Sequence, residues 1–267
     1  MSRYVLDVDG GHGDNGPMAS PDARDLRGSS FTGTDLTGAR FRDCDMRHVK
    51  IISSVLVDVS VSGEIENFFV NGIDVTGYVA AELDRRHPER VLVREMKTVA
   101  DHHKAWQTIE TLWSDTLTRA GRLPEPFLHE RVEDEWSLVE TLRHLVFATD
   151  LWVSQLILDL PASYHRLALP PSDHPPEALA SLGLDLDAHP TYTEVLSVRS
   201  ERAALVRDVL GHLTEDRLRS RCPGTFPPAW DEPSPSVGEA LAVMMEEEIE
   251  HHRYALRDLR ALESRRG

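Results

Sequence analysis

From residue 26 to residue 61 a large apolar side chain recurs every five positions: Leu26, Phe31, Leu36, Phe41, Met46, Ile51, Leu56 and Val61. Small or compact residues stand two places before most of them: Ser29, Thr34, Ala39, Cys44, Val49, Ser54 and Val59. A helix repeats every 3.6 residues and a strand every two, so this period marks an internal repeat. The stretch "VNGIDVTGYVAAELDRRHPER" then reads as a strand-like link and a short helix, and beyond it the period becomes helical. Four long helical segments follow, at about 95–119, 137–158, 191–219 and 236–263. Ser137 with Glu140, Thr191 with Glu194, and Ser236 with Glu239 each have the spacing of a capping box and mark three of the starts. Between the second and third segments, "PASYHRLALPPSDHPPEALASLGLDLDAHP" is too rich in proline for a helix and reads as a long crossover loop. A second loop, "CPGTFPPAWDEPSPS", precedes the last helix. Four helices with long connections make a bundle, and bundle interiors are common places for metal sites.

The five-residue pattern resembles the pentapeptide-repeat family, whose chain coils into a square β-helix with the large residue pointing inward and the small one filling a corner. The resemblance implies about two coils of four repeats each. The expected fold class is therefore α+β: a short right-handed quadrilateral β-helix followed by a four-helix bundle. The expected divisions are a flexible N-terminus at 1–23, the repeat segment at 24–75, a linker with a short helix at 76–94, and the bundle at 95–264. Repeats this few need a neighbour to bury their open end, so the expected role of the segment is a folding cap or an interface.

The last helix carries "EEEIEHHRYALRDL", residues 246–259, with two carboxylate–imidazole pairs four residues apart. At about 100° per residue, Leu241, Met245, Ala255, Leu256 and Leu259 fall within roughly 60° of one line, the core stripe. Glu248 and His252 fall about 20° either side of that line, whereas Glu247 and His251 fall near its edge or beyond. A carboxylate and an imidazole buried in mid-stripe are costly unless bonded, and one turn apart they can share a cation. The second helix offers a third donor in His144, the one histidine of the apolar stretch "EWSLVETLRHLVFATDLWVSQL".

"EWSLVETLRHLVFATDLW" and "EEIEHHRYALRDL" together resemble the DinB-like superfamily of four-helix proteins, over roughly residues 95–263. That group includes mycothiol-dependent maleylpyruvate isomerases and related thiol S-transferases. Its members carry one metal-ligating histidine on the second helix and two ligands four apart on the last. Many have H-x-x-x-H there, and the maleylpyruvate isomerase branch has E-x-x-x-H. The resemblance, joined to the wheel, implies His144, Glu248 and His252 as ligands of a divalent metal. Zinc is the first choice, with nickel, manganese and iron as alternatives. Three protein ligands leave a fourth position open, as in catalytic sites. The resemblance further implies a low-molecular-weight thiol that enters the open position and attacks a small electrophile. Arg143 and Arg253 neighbour the ligands and are candidates for contacting an anion, although a surface role is the expected one for each. His102 and His103 are expected at the surface, His165, His174 and His189 in a loop that could roof the site, and Trp136 as an anchor of the second helix. Neither Cys44 nor Cys222 sits in a motif that would make it the reacting thiol.

Composition adds mostly exclusions. With 29 basic and 45 acidic residues the net charge is -16, which argues against a nucleic-acid partner held through phosphates. Two cysteines give no disulfide framework, and no apolar run is long enough for a signal peptide or a membrane span, so a cytoplasmic location and no membrane partner are expected. Only Lys50, Lys97 and Lys104 are lysines, an arginine excess typical of GC-rich genomes, which favours mycothiol over bacillithiol or glutathione. The expected partner is a small-molecule substrate, with a homodimer left open. The rival readings are a hydrolase in which the same metal activates water, and a non-enzymatic, metal-stabilised interaction protein.

Overall fold

The structure, a computed structural model, describes residues 25–42, 44–171, 181–227 and 233–265. The chain divides into two units between Val59 and Ser60. The N-terminal stretch 1–23, expected to be flexible, lies outside the described residues.

In the first unit the backbone itself repeats every five residues. Left-handed φ angles occur at Gly28 (73°), Gly33 (62°), Gly38 (76°), His48 (63°), Ser53 (51°) and Asp58 (56°). Each is the third residue of a step that opens on one of the large apolar residues. Three of these steps close with a turn hydrogen bond: Ser29 N to Leu26 O at 3.0 Å, Ala39 N to Leu36 O at 2.9 Å, and Val49 N to Met46 O at 3.3 Å. A positive φ at the third residue is what a type II turn requires, and glycine adopts it without steric cost. Asp25, Asp35 and Asp45 brace alternate turns by accepting the backbone N–H two residues on, from Arg27, Thr37 and Arg47.

The expected quadrilateral β-helix is not formed. No described residue of this unit is in a strand, and no backbone hydrogen bond among the described residues joins one coil to the next. The large side chains expected inside are exposed, Phe41 by 62% and Ile51 by 63%. The turn bonds are all local, and local turns alone do not bury an apolar column. The α+β expectation gives way to a mostly helical structure.

The second unit begins with the one two-stranded sheet among the described residues: β1 (Phe69–Val70) pairs antiparallel with β2 (Ile73–Asp74). Asn71 and Gly72 join them with φ of 51° and 80°, the paired positive angles of a tight hairpin turn. Helices α1 (Thr76–Arg86) and α2 (Pro88–Arg94) follow. Then come α3 (Val99–Ala120), α4 (Glu125–Leu128), α5 (Leu138–Thr149), α6 (Tyr192–Gly211), α7 (Glu215–Arg219) and α8 (Val237–Ser264).

Capping boxes open α5 at Ser137, α6 at Thr191 and α8 at Ser236, the three positions with the sequence signature. A fourth box, Thr98 with Asp101, starts α3 at residue 99 instead of the expected 95. The segment expected as one helix over 191–219 breaks after Gly211, because Thr214 caps a new start by accepting from Arg217 N at 3.2 Å.

Four long helices form the bundle: α8 packs against α3 and α5, α5 against α6, and α6 touches α3 to close the ring. The core holds Trp106 and Ile109 of α3, Leu142 and Leu145 of α5, Val206 and Leu210 of α6, and Leu241, Met244, Met245 and Leu259 of α8. Each such side chain contributes about 1.5–3 kcal/mol by leaving water. Directly after α5 the helix widens into a π segment, Asp150–Ile157. The loop before α8 presses on it: Gly224 N donates to Leu156 O at 3.0 Å, and Gln155 Nε2 donates to Thr225 O at 2.6 Å. A Cβ on Gly224 would stand 1.9 Å from the Gln155 carbonyl oxygen, so only glycine allows this approach.

Candidate metal centre

Helices α5 and α8 bring His144 together with Glu247 and His251, not with Glu248 and His252. Glu247 Oε2 lies 3.3 Å from His144 Nε2 and 3.2 Å from His251 Nε2. One donor atom from each of the three residues falls within 4.8 Å of the others. His144 Nδ1 donates to the Leu169 carbonyl oxygen at 3.1 Å, which fixes the ring's orientation and turns Nε2 toward Glu247 Oε2.

The surroundings are aromatic. Trp136 stands just before the Ser137 cap, with its ring 4.8 Å from that of His144 and stacked on His251 at 5.9 Å and 19°. The His144 and His251 rings are 4.6 Å apart. Phe147, one turn after His144, stacks on that ring at 6.3 Å and meets Tyr164 of the crossover loop at 5.4 Å. Tyr254 flanks His251 at 6.4 Å. The His144 side chain is 7% exposed, those of His251 and Glu247 20% and 35%, so the cluster is rooted in the bundle and reachable from outside.

Charge states follow from this packing. Burial works against the Glu247 carboxylate, yet the hydrogen bonds of His144 and His251 hold its pKa well below the ordinary carboxylate range. Burial lowers the His251 pKa, and the His144 ring adds to the effect against the pull of Glu247. An ionised carboxylate and a neutral imidazole are the forms that bind a metal.

The other expected ligands have different partners. Glu248 is 1% exposed, and its Oε2 accepts from Arg199 Nη2 at 2.8 Å. Burial raises its pKa, with Arg199 opposing. His252, 3% exposed, has Nε2 at 2.7 Å from Thr116 Oγ1 and 3.2 Å from Leu112 O, with Trp113 edge-on to the ring at 5.1 Å. Both residues face inward as the wheel indicates. What they meet there is α3 and α6, on which the sequence reading placed no partner.

The two arginines that were candidates for an anion contact are occupied, and Arg143 is not at the surface as expected. Arg143 is buried, and its guanidinium donates to three backbone carbonyls, of Leu167, Ala188 and Asp185. Arg253 pairs with Glu250 at 2.9 Å and lies over the Tyr254 ring at 4.3 Å. His102, expected at the surface, is buried and bonds Thr98 O through Nδ1 at 2.8 Å. In the crossover loop His165 N donates to Asp150 Oδ2 at 2.7 Å, and His174 lies outside the described residues.

Sequence reasoning weighed Glu247 and His251 and placed them at or beyond the stripe's edge, took Trp136 only as a helix anchor, and did not single out the wall residues Phe147, Tyr164 and Tyr254. The one signal present was that E-x-x-x-H occurs twice in overlapping register, which marks both pairs as candidates without choosing between them.

Two family models match the chain. One, described as the DinB superfamily, covers residues 108–255, more than half of the 267 residues. The other, pentapeptide repeats, covers residues 25–56 with eight copies. No curated protein and no solved structure matches.

Proposed function

The chain belongs to the DinB superfamily, and on that premise we propose that it is a metal-dependent enzyme joining a small thiol to an electrophile, as a transferase or thiol-assisted isomerase. The observation that carries this reading is the convergence of His144 Nε2, Glu247 Oε2 and His251 Nε2 where the core leaves them reachable. Two imidazoles and a carboxylate suit zinc, with nickel, manganese and iron as alternatives, and three protein ligands leave a position open. A divalent ion held there would supply Lewis acidity, favouring the thiolate form of a bound thiol.

The chain's own groups do the rest. The Leu169 carbonyl keeps the His144 proton on Nδ1. Trp136 fixes the His251 ring by stacking, and Phe147 with Tyr164 extends a dry wall beside His144. Excluding water strengthens every electrostatic interaction inside.

Glu247 favours thiol chemistry over hydrolysis. Its negative charge leaves the ion a weaker acid than three neutral ligands would. Thiols ionise near 8.5, far below water, so a weakened metal still delivers a thiolate near neutrality. Burial pushes the Cys222 thiol up to about 11, which leaves little of it as thiolate near neutrality. The arginine-rich composition makes mycothiol the first thiol to try.

The test is metal analysis of purified protein, followed by turnover of small electrophiles with and without mycothiol before and after chelation. About one ion per chain and turnover needing both metal and thiol are expected. Metal-dependent turnover without any thiol would assign the site to hydrolysis, and full activity after chelation would remove the metal from the chemistry.

A further inference from the structure

We infer that Arg143 is a positioning residue for the histidine beside it, acting through the crossover loop. Adjacent residues on a helix point about 100° apart, so Arg143 cannot reach the cluster that His144 faces. Its guanidinium is buried at 5% exposure and is spent on backbone carbonyls from both legs of the loop. Nε donates to Leu167 O at 2.8 Å on the outgoing leg. Nη1 and Nη2 donate to Ala188 O at 2.9 Å and Asp185 O at 3.0 Å on the returning leg. The legs also bond each other, Asp185 N to Arg166 O at 2.8 Å.

The same two helical residues complete the clamp. Leu169 N donates to the Arg143 carbonyl at 3.1 Å, and Leu169 O accepts from His144 Nδ1 at 3.1 Å. Arg143 thus holds residue 167 by its side chain and residue 169 by its backbone, and residue 169 holds the imidazole. Hydrogen bonds from a charged donor are roughly twice as strong as neutral ones, and the flat guanidinium fork can serve two legs at once. A lysine at this position has one nitrogen and cannot span them. Losing the guanidinium leaves residue 169 tied to the helix by the one backbone bond, so the carbonyl that orients the His144 ring is held less firmly.

The inference rests on reading the cluster as a metal site, and the experiment separates the two. Cobalt(II) affinity and the visible cobalt spectrum are measured for the parent, Arg143→Lys, Arg143→Ala and His251→Ala, with thermal unfolding of each. The Arg143 variants should bind cobalt about 10–100-fold more weakly, the range seen when a ligand's outer partner is lost. Their spectra should change, and added guanidinium ion should restore the Arg143→Ala spectrum toward the parent's. Parent affinity and spectrum in a folded Arg143→Lys protein would overturn the proposal. If the variants do not fold, nitrogen-15 NMR of the parent decides: a slowly exchanging Nδ1–H tautomer of His144 supports the clamp, and an Nε2–H tautomer overturns it. A parent that binds no cobalt defeats the metal reading alone, because the His144 tautomer in parent and Arg143→Lys still judges the positioning.

Discussion

Helix α8 carries two carboxylate–imidazole pairs one residue apart, and they have opposite fates. Glu248 and His252 sit in mid-stripe, where Arg199 and Thr116 meet them and the core closes over them. Glu247 and His251 sit at the edge, where His144 completes a trio still reachable from outside. The spacing is identical, so spacing does not decide which pair can hold a metal. Burial separates them, and in the opposite sense from intuition: the deeper pair is sealed by protein partners, and the shallower one stays reachable from outside.

Removing one pair at a time should break the comparison most sharply. Glu247→Ala and His251→Ala should each abolish metal retention, with affinity down by more than about a hundredfold. Their thermal stability should change little, about 1 kcal/mol or less for partly exposed groups. Glu248→Ala should do the reverse. It leaves the nearly buried Arg199 without a counter-ion, which costs about 3–5 kcal/mol, and the folded fraction should keep its metal. Metal content and urea unfolding of the three variants check both halves. Loss of metal from folded Glu248→Ala would return the carboxylate in mid-stripe to the site.

How much of this was legible beforehand follows the same line between local and tertiary information. The starts of α5, α6 and α8 were readable because Ser137, Thr191 and Ser236 each have a glutamate three residues on, a code complete within four residues. Thr98 was missed because its box closes with Asp101, outside the usual Glu/Gln signature. The inward facing of Glu248 and His252 was readable from the wheel, which needs only one helix. Which pair meets His144 was not readable, because that depends on how α8 is rotated against α5. The crossover loop contributes through the carbonyl of Leu169, which its side chain does not announce. The five-residue period was plain in the sequence and reappears in the φ angles at Gly28, Gly33 and Gly38, but coil closure is a long-range property that no single repeat encodes.

Another buried carboxylate sharpens the contrast through pH. Asp150, at the start of the π segment, is fully buried, with Arg202 Nε at 2.5 Å and His165 N at 2.7 Å. Burial raises its pKa to about 6 from 3.8, with Arg202 opposing the rise. The folded state therefore holds this proton more tightly than the unfolded chain does. The resulting stability is fully present below about 3.8 and is lost as pH rises through about 6. A shift of about two units corresponds to roughly 3 kcal/mol. The stability of the parent minus that of Asp150→Asn should accordingly be greatest near pH 4 and shrink by about that amount by pH 7. Chemical unfolding across this range reads the difference directly, and a flat or rising difference would mean that Arg202 fully offsets the burial. Metal binding at pH 7 should be unchanged in the variant, since Asp150 pairs with Arg202 and the loop and lies outside the trio.

The smallest effect is expected at Thr116, and it probes why His252 stays apart from the trio. His252 Nε2 faces two oxygens, the Thr116 hydroxyl at 2.7 Å and the Leu112 carbonyl at 3.2 Å. A carbonyl oxygen can only accept, so a bare Nε2 would set two lone pairs against each other. The favourable state has Nε2 protonated and donating, so that nitrogen offers no lone pair to a metal. Thr116→Val deletes one acceptor and keeps the shape, and Leu112 O remains for the Nε2 proton. The loss should be about 1 kcal/mol, the net worth of one hydrogen bond in a buried setting. Metal content should stay at the parent value, because neither His144 nor His251 touches this pocket. Urea midpoints and metal analysis on the same preparation give both numbers, and a fall in metal with the fold intact would show His252 to be coupled to the trio.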